Sequence, residues 1–205
     1  MKRQTIAFVL GAALFSFPLH ADGKSAAQAH FTFEDPAGDV TGDEGEEHPI
    51  DVVKVDLSSD GEFVIVGVTL TDIPKPTSIF HALVLGVAFD IDNNRKSGGQ
   101  GFGGMHGDVP GIDFESEILC DVNDGAPSKS SAASVIAVDA QGNQSNVLVS
   151  SDAPSTPSKG KLYTGRIAYA SLGVKSGQTM RVIARELEDR GNEQGMFPDA
   201  LLTLK

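Results

Sequence analysis

The chain has no tryptophan, two tyrosines, one cysteine, and only 16 lysines and arginines against 28 acids. Each shortage excludes something. A lone thiol, Cys120, can form no internal disulfide, so core burial must hold the fold together. Its alternation with Ile118 and Val122 marks it as buried and inert. A net charge of −12 suits neither nucleic acid nor an anionic membrane surface, since both select for cations. Beyond the N-terminus, no segment approaches the ~20 apolar residues needed to cross a bilayer, so stable membrane insertion is not expected. The chain also lacks a His-Glu-x-x-His, a Gly-x-Ser-x-Gly and a phosphate-cradling loop, and it reads as non-enzymatic.

The N-terminus has the pattern of a secretory signal. Lys2 and Arg3 supply the positive start, Thr5 to Phe17 the apolar stretch, and Leu19-His20-Ala21 a small-residue exit. Ala27-Gln28-Ala29 offers a later cut, and no cysteine lies near either point to carry a lipid. Loss of residues 1–21 removes two cations and no acid, leaving 14 basic and 28 acidic residues and a net charge of −14. The expected product is exported, to the periplasm or the medium, with residues 22–30 as a flexible lead-in. Residues 31–205 are enough for one domain with a core of its own.

That remainder reads as strand. His30 to Glu34, Ile50 to Leu57, Glu62 to Thr71 and Ile79 to Asp92 come first. Gly111 to Val122, Ser134 to Asp139, Asn146 to Ser151, Lys161 to Tyr169, Met180 to Leu187 and Ala200 to Leu204 follow. Turn chemistry separates them, and Ser171 to Val174 has the length of a single helical turn. Asp189 to Asp199 reads as a polar loop. Roughly nine or ten strands, with no long helical period, predict an all-β, two-sheet antiparallel sandwich. In Gly111 to Val122, Ile112, Phe114, Ile118, Cys120 and Val122 fall on one face. Asp113, Glu115, Glu117 and Asp121 fall on the other, which reads as wet.

The most informative stretch runs from Phe89 to Gly104. Asp90, Asp92 and Asn94 stand at alternate positions, so a bending backbone can aim three oxygen-bearing side chains at one point. Hard cations such as Ca²⁺ ask for six to eight oxygens in a tolerant geometry. The glycines that follow free the backbone to turn. The loop is not an EF-hand, because Arg95 and Gly101 occupy the sixth and twelfth places where that motif has glycine and glutamate. The competing reading is a polar loop whose Asp and Asn make local turn bonds. Asp108 and Asp113 are further candidate ligands. A second acidic stretch, Asp35 to Asp51, carries seven acids in seventeen residues; Asp35, Asp39 and Asp51 stand beside its strand ends and are the candidates there.

Several of these pieces, taken together, resemble exported DOMON-like domains, which are related to family 9 carbohydrate-binding modules and to the C-terminal module of bacterial glucodextranases. They are Asp35-Pro36-Ala37-Gly38-Asp39, Asp51-Val52-Val53-Lys54-Val55, Phe89-Asp90-Ile91-Asp92-Asn93-Asn94 with Ser97-Gly98, and Gly111-Ile112-Asp113-Phe114. The short Ala170-Ser171-Leu172-Gly173-Val174 turn before a late strand belongs with them. The resemblance implies a jelly-roll-like sandwich, bound calcium, and a sugar or haem as ligand.

The residues bear on those ligands unequally. Sugar-binding sandwiches use flat rings, and here Tyr163 and Tyr169 lie inside an expected strand. Most of the eleven phenylalanines read as core, with Phe102 and Phe197 set apart. For haem, Met105 and His106 are neighbours in one loop and cannot both reach opposite faces of an iron; Met180, Met196 and His81 are the other candidate ligands. The expectation is a calcium-bearing, non-catalytic binding module with a glycan or another exported protein as partner. A haem electron carrier and a cell-surface interaction protein are the alternatives.

Overall fold

The computed structural model describes residues 27–35, 52–71, 82–101, 109–121, 131–154, 162–187 and 193–205. Among the described residues three strands come first: β1 (His30–Glu34), β2 (Val52–Ser59) and β3 (Phe63–Leu70). β4 (Ala82–Asp90) is followed by the short β5 (Gly99–Gln100) and β6 (Pro110–Ile112), then by β7 (Phe114–Asp121). Next come β8 (Ser131–Ala133), β9 (Val135–Val138), β10 (Gln144–Leu148) and β11 (Leu162–Ala168). A single helical turn, α1 (Tyr169–Leu172), leads to β12 (Thr179–Leu187), β13 (Glu193–Met196) and β14 (Ala200–Thr203). No helix among the described residues is long and apolar enough to cross a membrane.

The strands form the predicted two-sheet antiparallel sandwich. One sheet has the order β1-β2-β3-β11. The other runs β10-β9-β7-β4-β12-β13, with β8 also paired to β7 and β14 to β12. Alternation explains what lies between them. Val64, Val66 and Val68 from β3 meet Leu85, Val87 and Phe89 from β4 and Met180, Val182 and Ala184 from β12, all buried in one core. Each such aliphatic contributes about 1.5–3 kcal/mol by leaving water. A bulge where β2 pairs with β3, between Val52 and Lys54, shifts the alternation, so that Val52 and Val55 both face inward.

The structure corrects several expectations. The single strand expected from Gly111 onward is two, because Asp113 breaks the ladder between β6 and β7. Ile112 therefore does not share a face with Ile118. It joins Ala88, Val109, Val138 and Ile183 in a second, smaller apolar cluster, whereas Ile118 lies in the main core. Glu115 is not on a wet face but buried, accepting a bond from Nε2 of Gln144 (3.1 Å). Ser150–Asp152 is a 3-10 turn where strand was expected, and β13 lies within the expected polar loop. Phe197 belongs to the core, 5.7 Å from the Phe33 ring.

At the end of β4, the placing of two short strands matters more than their length. The β5–β6 ladder folds back so that Gly99 pairs with Ile112 and the Gly101 amide reaches the Val109 carbonyl. Its apolar residues cap Ala88 and Ile183 on the outer side of the large sheet. Asp90, the last residue of β4, is thereby cut off from water, whereas Asp92 beyond it stays exposed.

Candidate metal centre

Asp90 is the last residue of β4, on the side of the strand that Ala88 also faces. Under the folded-back ladder it is fully buried. Directly across from it in the β4–β12 register stands Arg181, itself 4% exposed. Its Nε donates to Oδ2 of Asp90 (3.0 Å), and its Nη2 donates to the Pro110 carbonyl. Nη1 reaches Oδ2 of Asp199 (3.3 Å), which also accepts from Arg95 (2.9 Å). One guanidinium thus ties together the ends of three strands.

The chain then turns on its own side chains. The Asn94 amide donates to Oδ1 of Asp90 (3.0 Å) and Oδ1 of Asp92 (2.9 Å), pulling both carboxylates toward one backbone N–H. Asn93 takes up left-handed backbone (φ 53°), a conformation asparagine tolerates better than most residues. The Ser97 hydroxyl lies 3.0 and 2.9 Å from the two oxygens of Asp92. Gly98 closes the turn at φ 64°; a Cβ there would stand 2.5 Å from the Ile112 carbonyl oxygen. Gly111 (φ 81°) does the same from the other side, since its Cβ would meet Arg95 Cα at 2.5 Å. Only glycine allows the two segments to lie this close.

Asp113, in the break between β6 and β7, completes the group. Its amide donates to the Phe89 carbonyl (2.9 Å), and its Oδ2 accepts from the Ile91 amide (2.9 Å). One carboxylate oxygen from each of Asp90, Asp92 and Asp113 lies within 4.8 Å of the others. Two oxygens on opposite sides of one Ca²⁺ stand about 4.6–5.2 Å apart, so a single ion fits the spacing. Three carboxylates and one guanidinium carry a net charge near −2, which a divalent cation neutralises.

Electrostatics show the strain of this packing. Burial raises the Asp90 pKa above the ordinary aspartate value of 3.8, as does a side-chain hydrogen bond with Asp92; the Asn94 amide and Arg181 pull the other way. Burial also raises Asp113, and the charges of Asp92 and Asp90 add to it. Among the described residues these acids can hold a divalent cation, and nothing in their geometry distinguishes calcium from another hard ion.

The other predicted ligands fare differently. Asn94 acts here through its backbone N–H, while its Oδ1 accepts from the Lys96 amide (3.2 Å). Asp35 lies at the end of β1 in the other sheet, its amide bonded to the Val53 carbonyl, and is not among the three clustered acids. Asp39, Asp51 and Asp108 lie outside the described residues, as do His81, Phe102, Met105 and His106. Met180, a haem-ligand candidate, is fully buried in the main core. Sequence reasoning missed Arg181. Its signal was present in Thr179–Leu187, where Arg181 and Arg185 flank Ile183 at alternate places, on the strand face opposite Met180, Val182 and Ala184. Comparison of the chain with family models, curated proteins and solved structures finds no match.

Proposed function

We propose that the chain is an exported, non-catalytic binding module in which Asp90, Asp92 and Asp113 hold a calcium ion. The observation that carries this is the convergence of three carboxylates, one fully buried, within 4.8 Å. Like charges so placed repel unless a cation or protons intervene. Calcium is favoured over softer metals because, among the described residues, every donor of the cluster is oxygen. The ion's work is to fix the turn after β4 against the β6–β7 break, where a recognition surface is to be sought. Export is supported by the pattern of residues 1–21. A glycan as ligand is supported only by the DOMON-like and carbohydrate-binding-module-like motifs.

The Arg181–Asp90 pair favours a second reading, in which the guanidinium is the only counter-charge and the turn is purely structural. Thermal unfolding separates the two. If calcium binds, a hundredfold excess over Kd stabilises by about 2.7 kcal/mol, raising Tm by roughly 5–10 °C. Asp90→Ala with Asp92→Ala abolishes that difference between calcium and chelator. Identical melting of the parent in both conditions selects the structural reading. Retention on immobilised polysaccharides tests the glycan.

A further inference from the structure

We infer that β10 is a self-association edge through which two copies of this chain pair. Among the described strands, six have one side without a neighbour in the two sheets: β1, β11, β10, β13, β14 and β8, the last of which pairs only with β7 but packs against β11 and the Ser150–Asp152 turn. An open edge invites another strand, and natural sheets protect it with charge or cover. β1 carries Glu34, β11 carries Arg166 and β13 carries Glu193. β14 is covered, because the Gln28 amide donates to the Leu201 carbonyl and the Thr203 amide to the Gln28 carbonyl. β10, Gln144-Ser145-Asn146-Val147-Leu148, carries no charge and has no covering strand among the described residues, its ladder bulge being the one feature that blunts it. Its first four residues are all exposed.

The surroundings of β10 say what occupies it. Between Asp139 and Asp152 lie twelve consecutive residues without a charge, in a chain whose net charge is −12. Two copies repel one another over their acidic surfaces, and this strip is where they can approach without that penalty. Val147, the extra residue of the bulge in the β10–β9 ladder, is 47% exposed, and Val149 is 50% exposed. Antiparallel pairing of β10 with its own copy about a two-fold axis brings these valines together. Such an interface is isologous, so association closes at two copies. The large sheets then join into one sheet running through the dimer.

Sedimentation equilibrium over a range of protein concentration tests this. The parent is expected to reach twice its monomer mass, and added salt is expected to tighten the dimer by screening acidic repulsion. Val147→Lys weakens it at least about tenfold, a loss of roughly 1.4 kcal/mol, and Val149→Lys, beyond the strand itself, acts in the same direction if the first variant misfolds. Leu162→Lys, at an exposed apolar position on β11, leaves the dimer intact. A parent that stays monomeric at every concentration overturns the proposal. So does a dimer that salt dissociates, or one that Leu162→Lys weakens as much as Val147→Lys.

Discussion

At the residue scale, Arg181 decides how the acid cluster behaves. It is almost fully buried, and its partner Asp90 is fully buried. Removing one member of such a pair costs about 3–5 kcal/mol, because the other charge is left without compensation. Arg181→Met should therefore destabilise the chelator-treated protein by about that amount in urea unfolding. Added calcium should recover part of the loss, since the ion supplies the missing positive charge. Equal losses with and without calcium would show that the cation and the guanidinium do not share Asp90. The residue was hard to anticipate. An arginine in a strand usually points to water, and only the folded-back β5–β6 ladder encloses this one.

At the scale of elements, the turn after β4 was legible and its lid was not. Alternation of Asp90, Asp92 and Asn94 pointed to a turn that gathers oxygens around a cation, with local turn bonds as the competing reading, and the Asn94 amide bonds both aspartates. What the alternation could not show is that Asn94 contributes its backbone, or that Asp113 arrives from 21 residues further on. That convergence needs β6 to break away from β7, which periodicity alone reads as one strand. The glycines carry the missing information as backbone sterics rather than as pattern. Gly98→Ala places a methyl group 2.5 Å from the Ile112 carbonyl oxygen on left-handed backbone. We expect it to cost about 1–3 kcal/mol and to weaken divalent-cation binding, whereas Gly142→Ala, strained at φ 78° but with open space around it, should leave cation binding unchanged. Calorimetric titration of both variants checks this.

At the scale of the whole molecule, the sandwich followed from period-two alternation, because both sheets bury one face against a shared core. The extra strands are breaks and short ladders, where β6 separates from β7 and β8 from β9, together with β13 in a stretch too polar to read as strand. Global stability should also reflect the cluster. Asp90 and Asp113 have raised values in the fold, so the folded state holds their protons more tightly than the unfolded chain does. Their contribution is most favourable below the unfolded value and is lost as pH rises through the folded values. In chelator, this contribution to stability should decrease as pH rises above the ordinary aspartate value of 3.8. In calcium the trend should reverse, since protons compete with the ion for the same oxygens. Melting curves across that pH range, with and without chelator, read both slopes.

The most direct measurement is the metal content of the protein after dialysis against calcium, followed by calorimetric titration of the stripped protein. The account predicts one tightly held calcium per chain, lost in Asp90→Ala with Asp92→Ala. Binding that is absent, or that survives in the double variant, would contradict it.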